Sequence, residues 1–156
     1  MSVQALAGAL LRRGWRVASA ESCTGGLIAA ACTAVAGSSD WFERGFVTYS
    51  NAAKTELLGV DAALIAAHGA VSEAVVRAML QGALQRSPVQ LAVAVTGIAG
   101  PGGAVAGKPV GTVWLAWGTA QTQHAELLQL TGDRTAVRSA AVQGALARLF
   151  EMASSP

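Results

Sequence analysis

The segment AESCTGG, residues 20–26, decides the fold of this chain because it joins two runs of different character. An apolar run, residues 15–20, leads into it, and an alanine-rich run, residues 27–36, follows. This order predicts a strand, a tight turn of small residues and a helix whose start is capped by Thr24. Gly25 and its neighbour allow another backbone or a ligand to approach closely.

The same turn carries a hydroxyl, Ser22, and a thiol, Cys23. The first N–H groups of a helix have no partner within the helix and favour negative charge. A nucleophile beside such donors suits acyl transfer, in which an oxyanion develops. Small polar residues are also common between a strand and a helix that have no catalytic role. The turn alone leaves both interpretations open.

The composition indicates one domain, residues 1–156, with an unusually apolar surface or a core of small residues. Hydrophobic residues make up 53% of the chain and charged residues only 13%, whereas about 25% charge is typical of soluble domains. Burial of surface between subunits would explain this balance. We therefore expect a homo-oligomer, with a dimer as the default on grounds of symmetry.

Several protein classes are excluded by what the sequence lacks. No stretch has the length and apolar character of a membrane span, and the N-terminal segment does not have the charge order of a secretory signal, so we expect a cytoplasmic protein. Cys23 and Cys32 are expected to be free thiols in a reducing compartment. Together with His68 and His124 they lack metal-ligand spacing. Scattered basic residues and a net charge of +2 do not predict nucleic-acid binding.

Helical and strand patterns alternate along the chain and end in a hairpin pattern. Alternating strands and helices predict a sheet covered on both faces, and the late hairpin adds antiparallel strands. The predicted fold class is α/β, a three-layer α/β/α sandwich with a mixed sheet. Ligands of such folds bind at strand-end loops. Helices are predicted over residues 3–13, 24–35, 52–58, 61–67, 72–85 and 134–151, and strands over residues 15–20, 44–50, 91–95, 110–118 and 122–130.

Tyr49 and Lys54 are candidates for proton transfer at the loop after the second strand. Tyr49 is predicted to end that strand, and Lys54 to lie in the first turn of the next helix, so that both reach the same opening. The helix dipole and burial would lower the pKa of the lysine, from about 10.4 to about 7–8 for a base near neutrality. A solvated surface lysine is the alternative.

A glycine-rich loop, residues 96–103, follows the most apolar strand pattern. Backbone N–H groups at Gly97 and Gly100 would suit a phosphate, and the Thr96 hydroxyl lies at the strand end itself. The loop matches neither the Walker nor the dinucleotide-binding pattern, so a plain flexible loop is as compatible with the sequence. Arg134, at the predicted start of the last helix, would suit an anion or solvent.

Seven motifs, taken in order and spacing, resemble the CinA C-terminal domain family over about residues 3–150. Stand-alone members of this family include nicotinamide-nucleotide amidohydrolases. Because the chain shows no counterpart of the N-terminal domain of full-length CinA proteins, we expect the stand-alone form. The motifs are AESCTGG, GSSDWFERGFVTYSNAAK, LLGV, HGAVSE, VTGIAGPGG, KPVGTVW and GDR.

The resemblance implies hydrolysis of the carboxamide of nicotinamide mononucleotide, giving nicotinate mononucleotide and ammonia, with no cofactor and no metal. The family's catalytic group carries over as Ser22, Tyr49 and Lys54: Ser22 would attack the carboxamide, while neutral Lys54, helped by Tyr49, takes its proton. The glycine-rich loop and Arg134 would hold the phosphate. The expected substrate-binding residues are Thr24, Gly25, Thr96, Gly97, Gly100 and Arg134.

Alternatives remain open at the level of sequence. Cys23 is a rival nucleophile because thiols are intrinsically better ones. Arg138 lies one helical turn after Arg134 and is a rival for the phosphate. The domain would also be compatible with a non-catalytic nucleotide-binding or regulatory role of the kind suggested by the competence and DNA-damage names of the family, or with amidase action on another amide.

Overall fold

The computed structural model describes residues 2–156 and contains a five-stranded mixed sheet in the order β2-β1-β3-β4-β5. β1 pairs in parallel with β2 and β3, whereas β3 with β4 and β4 with β5 are antiparallel. The late hairpin is therefore confirmed. The strands are β1 Val17–Glu21, β2 Phe42–Val47, β3 Leu91–Gly97, β4 Thr112–Gly118 and β5 Gln123–Gln129.

Six α-helices cover the two faces of this sheet. One core cluster packs α1, α2 and α6 on one face, and the other packs α3, α4 and α5 on the opposite face. The predicted three-layer α/β/α sandwich is confirmed. The helices are α1 Val3–Arg13, α2 Leu27–Thr33, α3 Asn51–Leu58, α4 Ala62–His68, α5 Glu73–Gln85 and α6 Arg134–Ser154. Within residues 2–156, none of them combines the length and apolar character needed to cross a membrane.

The central strands are buried along their length and set the position of the loops. Every residue of β1 is buried, and β3 is buried from Leu91 to Thr96. Glu21, the last residue of β1, pairs with Val47 of β2 and Val95 of β3. Because these three strands are parallel, the loops that follow them gather at one edge of the sheet.

Several predicted boundaries are wrong at this edge: β1 ends at Glu21 and not at residue 20, and β3 extends to Gly97 and not to residue 95. The helix predicted from residue 24 begins at Leu27. Its N-cap residue is Gly26, which has no side chain that could cap the first turn. The strand predicted over residues 44–50 begins at Phe42 and ends at Val47. Tyr49 therefore lies in the connection between β2 and α3, where its main chain is free to make contacts other than sheet pairing.

Candidate active site

A cavity of about 190 Å³ opens at the edge where β1, β2 and β3 end. It lies between the turn after β1, the connection after β2, the glycine-rich loop after β3 and the start of α6. All four segments contribute side chains or backbone to one small volume. The lining residues are Ser22, Cys23, Tyr49, Gly97, Ile98, Ala99, Gly100, Gly102, Gly103 and Arg134.

Lys54, on α3, lies behind Ser22 at the wall of this cavity and is buried to 1% exposure. Ser50 caps α3 by accepting a hydrogen bond from the backbone N–H of Ala53, and this fixes the start of the helix behind the cavity. The Lys54 Nζ lies 2.9 Å from the Ser22 Oγ. It also lies 3.0 Å from the Thr48 carbonyl and 3.1 Å from the Tyr49 carbonyl. The amine therefore has three polar neighbours and no carboxylate.

The burial of Lys54 favours its neutral form. Burial lowers the pKa of Lys54 below its usual value of 10.5, because desolvation disfavours the charged form. A neutral amine has two N–H donors and one lone pair. In the structure Nζ donates to the Ser22 Oγ and to the carbonyls of Thr48 and Tyr49. A neutral amine at the same place can keep its two donors on the carbonyls while its lone pair accepts the hydroxyl proton of Ser22. The arrangement can activate Ser22 as a nucleophile.

Cys23, the rival nucleophile, borders the same cavity but lacks such activation. Its residue is only 6% exposed, and burial raises the pKa of its thiol to about 11. Burial likewise raises the pKa of Cys32 to about 12, and both cysteines are free. Because the thiolate is the nucleophilic form, the electrostatics at this site favour the Ser22 hydroxyl.

Glu21 has no role in the sequence-based prediction, although it lies inside the AESCTGG segment. It is fully buried. Its carboxylate accepts hydrogen bonds from the backbone N–H groups of Ile28, at 2.8 Å, and Ala29, at 3.0 Å, and from the Thr24 hydroxyl at 2.6 Å. Glu21 therefore caps α2 from the end of β1, and the prediction that Thr24 caps this helix is wrong. A carboxylate shortly before a helix start was the available signal.

Tyr49 contributes to the site mainly through its backbone. Its carbonyl accepts from Lys54, whereas its side chain is 62% exposed. The Tyr49 hydroxyl accepts a hydrogen bond from Arg134 Nη2 at 3.3 Å, and Arg134 Nη1 donates to the Gly100 carbonyl at 2.8 Å. Arg134 therefore ties the connection after β2 to the glycine-rich loop at the mouth of the cavity.

The glycine-rich loop presents unused donors to the cavity. Gly97 and Gly100 line it. Within residues 2–156, the N–H groups of Ala99, Gly100 and Gly103 donate to no protein acceptor. Backbone donors of this kind, next to the Arg134 guanidinium, suit an anionic group. The sequence left two interpretations of this loop open, a phosphate-binding loop and a plain flexible loop. The free N–H groups beside Arg134 favour the first.

Three of the expected substrate-binding residues do not line the cavity. The Thr96 hydroxyl donates to the Ala70 carbonyl at 3.0 Å, which pins the link between α4 and α5. Thr24 is fully buried against Glu21. Gly25 lies in the turn itself, where its N–H donates to the Ser22 carbonyl. These three residues shape the loops around the cavity.

Arg138, the rival of Arg134, lies outside the cavity lining. Its Nε donates to the Cys23 carbonyl at 3.1 Å, and its Nη2 to the Thr24 carbonyl at 3.4 Å. Arg134 and Arg138, both on α6, therefore differ in position: Arg134 borders the cavity, and Arg138 holds the turn behind it. No group of three or more His, Cys, Asp or Glu side chains that could hold a metal ion occurs within residues 2–156.

The chain is similar to two groups of curated proteins. It is 55% identical to nicotinamide-nucleotide amidohydrolase PncC of Pseudomonas putida, covering 88% of this chain and 86% of that protein. It is 51% identical to the PncC of Escherichia coli strain K12, covering 92% and 87%. A CinA-like protein of Syntrophobacter fumaroxidans is 49% identical over 92% of this chain, which spans only 34% of that protein.

Solved structures of CinA superfamily proteins also match this chain. A CinA superfamily protein of Klebsiella pneumoniae superposes with a TM-score of 0.93 at 43% identity, covering 97% of this chain and 95% of that one. A CinA superfamily protein of Escherichia coli gives a TM-score of 0.92 at 36% identity. The family model described as the CinA C-terminal domain matches residues 2–153. The chain therefore belongs to the CinA C-terminal domain family.

Proposed function

We propose that this chain is a nicotinamide-nucleotide amidohydrolase, which converts nicotinamide mononucleotide to nicotinate mononucleotide and ammonia. The relatives that carry this name are matched over 82–87% of their own length at 51–55% identity. The observation that carries the proposal is the 2.9 Å contact between Lys54 Nζ and Ser22 Oγ beside an open cavity. A buried base next to a hydroxyl nucleophile is an arrangement that supports amide hydrolysis.

The reaction begins with attack of Ser22 on the carboxamide. The Ser22 Oγ forms a bond to the carboxamide carbon while its proton passes to the Lys54 lone pair, and the carbonyl oxygen becomes an oxyanion. When the carbon–nitrogen bond breaks, Lys54 returns the proton to the departing nitrogen, which leaves as ammonia. The product of this half-reaction is an acyl ester on Ser22.

Water completes the cycle by the reverse sequence of proton transfers. Lys54, neutral again, takes a proton from water as the water oxygen bonds to the acyl carbon. The ester bond to the Ser22 Oγ then breaks, and the Lys54 proton passes to that oxygen. Nicotinate mononucleotide is released, and Ser22 and Lys54 return to their starting states. One base serves both half-reactions.

The remaining site residues orient the base and the substrate. Tyr49 assists Lys54 through its backbone carbonyl, which occupies one N–H of the amine. Arg134 and the N–H groups of the glycine-rich loop, including Gly97 and Gly100, bind the phosphate and so place the pyridine ring at Ser22. Thr24, Gly25 and Thr96 act indirectly, by holding the loops that border the cavity.

Ammonia release from nicotinamide mononucleotide by the purified chain tests this proposal. We expect steady release that disappears in the Ser22→Ala variant. Nicotinamide riboside, which lacks the phosphate, is expected to be a much poorer substrate. A protein that binds the nucleotide without releasing ammonia would instead support the non-catalytic, regulatory alternative.

We also propose that the chain forms one domain, assembles as a homo-oligomer and works in the cytoplasm. The low charge of the sequence and the exposed apolar side chains of Leu11, Val47, Leu57, Val105 and Leu127 support an interface between copies. The two free cysteines support a reducing compartment. Light scattering at micromolar concentration tests the assembly, and a monomer mass would contradict it.

A further inference from the structure

We propose that Glu21 and Arg138 are positioning residues, which hold the backbone N–H of Cys23 toward the cavity as an oxyanion donor. The inference rests on the proposed function, because an oxyanion develops only if Ser22 attacks an amide. It assigns a role to two charged side chains that the mechanism above leaves unused. Neither of them lines the cavity, so both act through the turn.

The helix that follows the turn cannot supply the donor. The N–H groups of Ile28 and Ala29 are occupied by the Glu21 carboxylate. The N–H of Leu27 donates to the Thr24 carbonyl at 3.0 Å. The free N–H groups that a helix start normally offers are therefore already used within the protein. The expectation that the start of this helix would stabilise an oxyanion is wrong for these groups.

Within the turn, one N–H remains that can face a substrate. Ser22 N donates to the Val95 carbonyl and Gly25 N to the Ser22 carbonyl, both at 3.0 Å. Cys23 N, Thr24 N and Gly26 N have no protein acceptor within residues 2–156. Thr24 is fully buried and Gly26 lies outside the cavity lining, whereas Cys23 lines the cavity next to Ser22. The N–H of the residue after a nucleophile is also the donor that strand–turn–helix hydrolases use.

The turn is held in this orientation by its carbonyl groups. Peptide planes here are trans, the exception in the described chain being the Gly100–Pro101 bond, so each N–H points away from the carbonyl of the same peptide. The Ser22 carbonyl shares its peptide with Cys23 N–H and is held back by Gly25 N. Arg138 holds the next two carbonyls, those of Cys23 and Thr24. Their peptides carry the Thr24 and Gly25 N–H groups, so Arg138 acts on the Cys23 N–H through the neighbouring peptides.

Glu21 fixes the same turn from its other side. Its carboxylate binds the Thr24 hydroxyl at 2.6 Å and the first free N–H groups of α2. The turn is therefore held between the buried Glu21 carboxylate and the half-buried Arg138 guanidinium. The backbone of residues 22–25 consequently has little freedom to rotate. Pre-organised donors of this kind are effective because they need no rearrangement when charge develops.

The Arg138→Met variant tests the inference, with Arg77→Met as the matched control. Arg77 is exposed on α5 and, among residues 2–156, forms an ion pair only with Glu73, one helical turn before it. Two inhibitors are compared: the mononucleotide of pyridine-3-carboxaldehyde and the unsubstituted pyridine mononucleotide. Ser22 adds to the aldehyde carbon, its proton passes to Lys54, and the aldehyde oxygen becomes an oxyanion with no leaving group. Only this adduct needs the Cys23 N–H.

We expect Arg138→Met to lower kcat and to weaken the aldehyde inhibitor, each by at least about tenfold, which is below the loss when a donor itself is removed. KM and the affinity for the unsubstituted nucleotide should stay near the wild-type values, as they should throughout for Arg77→Met. Equal weakening of both inhibitors, or no change in either, would overturn the inference.

Glu21→Gln provides a second arm. The amide keeps the size of the side chain but turns one acceptor oxygen into a donor that faces backbone N–H groups. The same selective loss of kcat and aldehyde affinity is expected, with thermal unfolding recorded alongside. If this variant does not fold, Arg138→Met decides alone. Wild-type ammonia release is measured first, so that failure of the proposed function is distinguished from failure of this inference.

Discussion

The amine of Lys54 lies 2.9 Å from the hydroxyl of Ser22, although 32 positions separate the two residues. The parallel pairing of β1 with β2 explains this proximity, because Ser22 follows one strand and the α3 helix follows the other. The pair is buried, and two backbone carbonyls complete the surroundings of the amine. Its chemistry therefore depends on whether Lys54 carries a proton.

We predict that kcat/KM rises with pH, with a midpoint below the usual lysine value of 10.5. Burial lowers the pKa of Lys54, and only the neutral amine accepts the Ser22 proton. The measurement is ammonia release across a pH series, corrected for release without enzyme. Lys54→Arg should be inactive throughout, because arginine stays charged. A rate that is independent of pH would remove Lys54 from the role of base.

The identity of the nucleophile is tested by replacing Ser22 and Cys23 separately by alanine. Ser22→Ala should lower kcat by about 10⁴-fold or more, the scale of loss when a serine nucleophile is removed. Cys23→Ala should keep most of the activity, because burial raises the pKa of this thiol to about 11 and the thiolate is scarce at neutral pH. Ammonia release from both variants is measured under one condition. The opposite ranking would assign the reaction to Cys23.

Lys54 also links folding stability to pH. Its folded pKa is lowered, so between that value and about 10.5 the unfolded chain binds a proton that the folded chain does not. The free energy of unfolding of the wild type, relative to Lys54→Met, should therefore rise with pH in this window, by at most about 1.4 kcal/mol per pH unit. Below the folded pKa the difference should be constant. Urea unfolding of both proteins at several pH values measures it, and a difference that falls with pH would contradict it.

The position of the Ser22 and Lys54 pair was predictable from the sequence. Alternating patterns place Ser22 in the turn after one strand and Lys54 in the first turn of the helix that follows the next strand, and the family resemblance names them together. Ser22 and Cys23 could not be separated by residue type alone, since both are nucleophiles. The separation comes from burial and from the lysine contact, which are properties of the folded chain.

The framework around this pair was not predictable. The Glu21 carboxylate reaches N–H groups seven and eight positions later, which depends on the path of the turn between them. Arg138 contacts the Cys23 carbonyl across 115 positions, and no local pattern distinguishes it from Arg134. The Thr96 hydroxyl faces Ala70 and not the cavity. Which group each of these side chains contacts is decided by tertiary packing and not by local sequence.

Arg134 is expected to act on the phosphate of the substrate. Arg134→Met should raise KM for nicotinamide mononucleotide by about tenfold or more, since a charge-assisted hydrogen bond contributes about 1.5–3 kcal/mol. The kinetic parameters for nicotinamide riboside, measured at high substrate concentration, should change much less. Equal losses for both substrates would place the role of Arg134 in holding Tyr49 and Gly100 instead.

Gly82 connects the packing of the helices to the position of Lys54. It lies on α5, and a Cβ at this position would clash with the carbonyl oxygen of Leu58, the last residue of α3. Lys54 lies one helical turn before Leu58. Replacing Gly82 by alanine must therefore move α5 and α3 apart. Lys54, the base of the active site, lies on α3 and is displaced with it.

We predict that Gly82→Ala lowers the free energy of unfolding by about 1–3 kcal/mol, the usual range for overpacking, although alanine favours a helix by about 1 kcal/mol. Gly8→Ala on α1 is the control, because its Cβ would meet only the flexible end of Arg12 at 3.2 Å, and it should be neutral or stabilising. Urea unfolding measures both variants. At a temperature where both are folded, kcat should fall in Gly82→Ala alone, and an unchanged kcat would show that the α3–α5 spacing does not control the distance between Lys54 and Ser22.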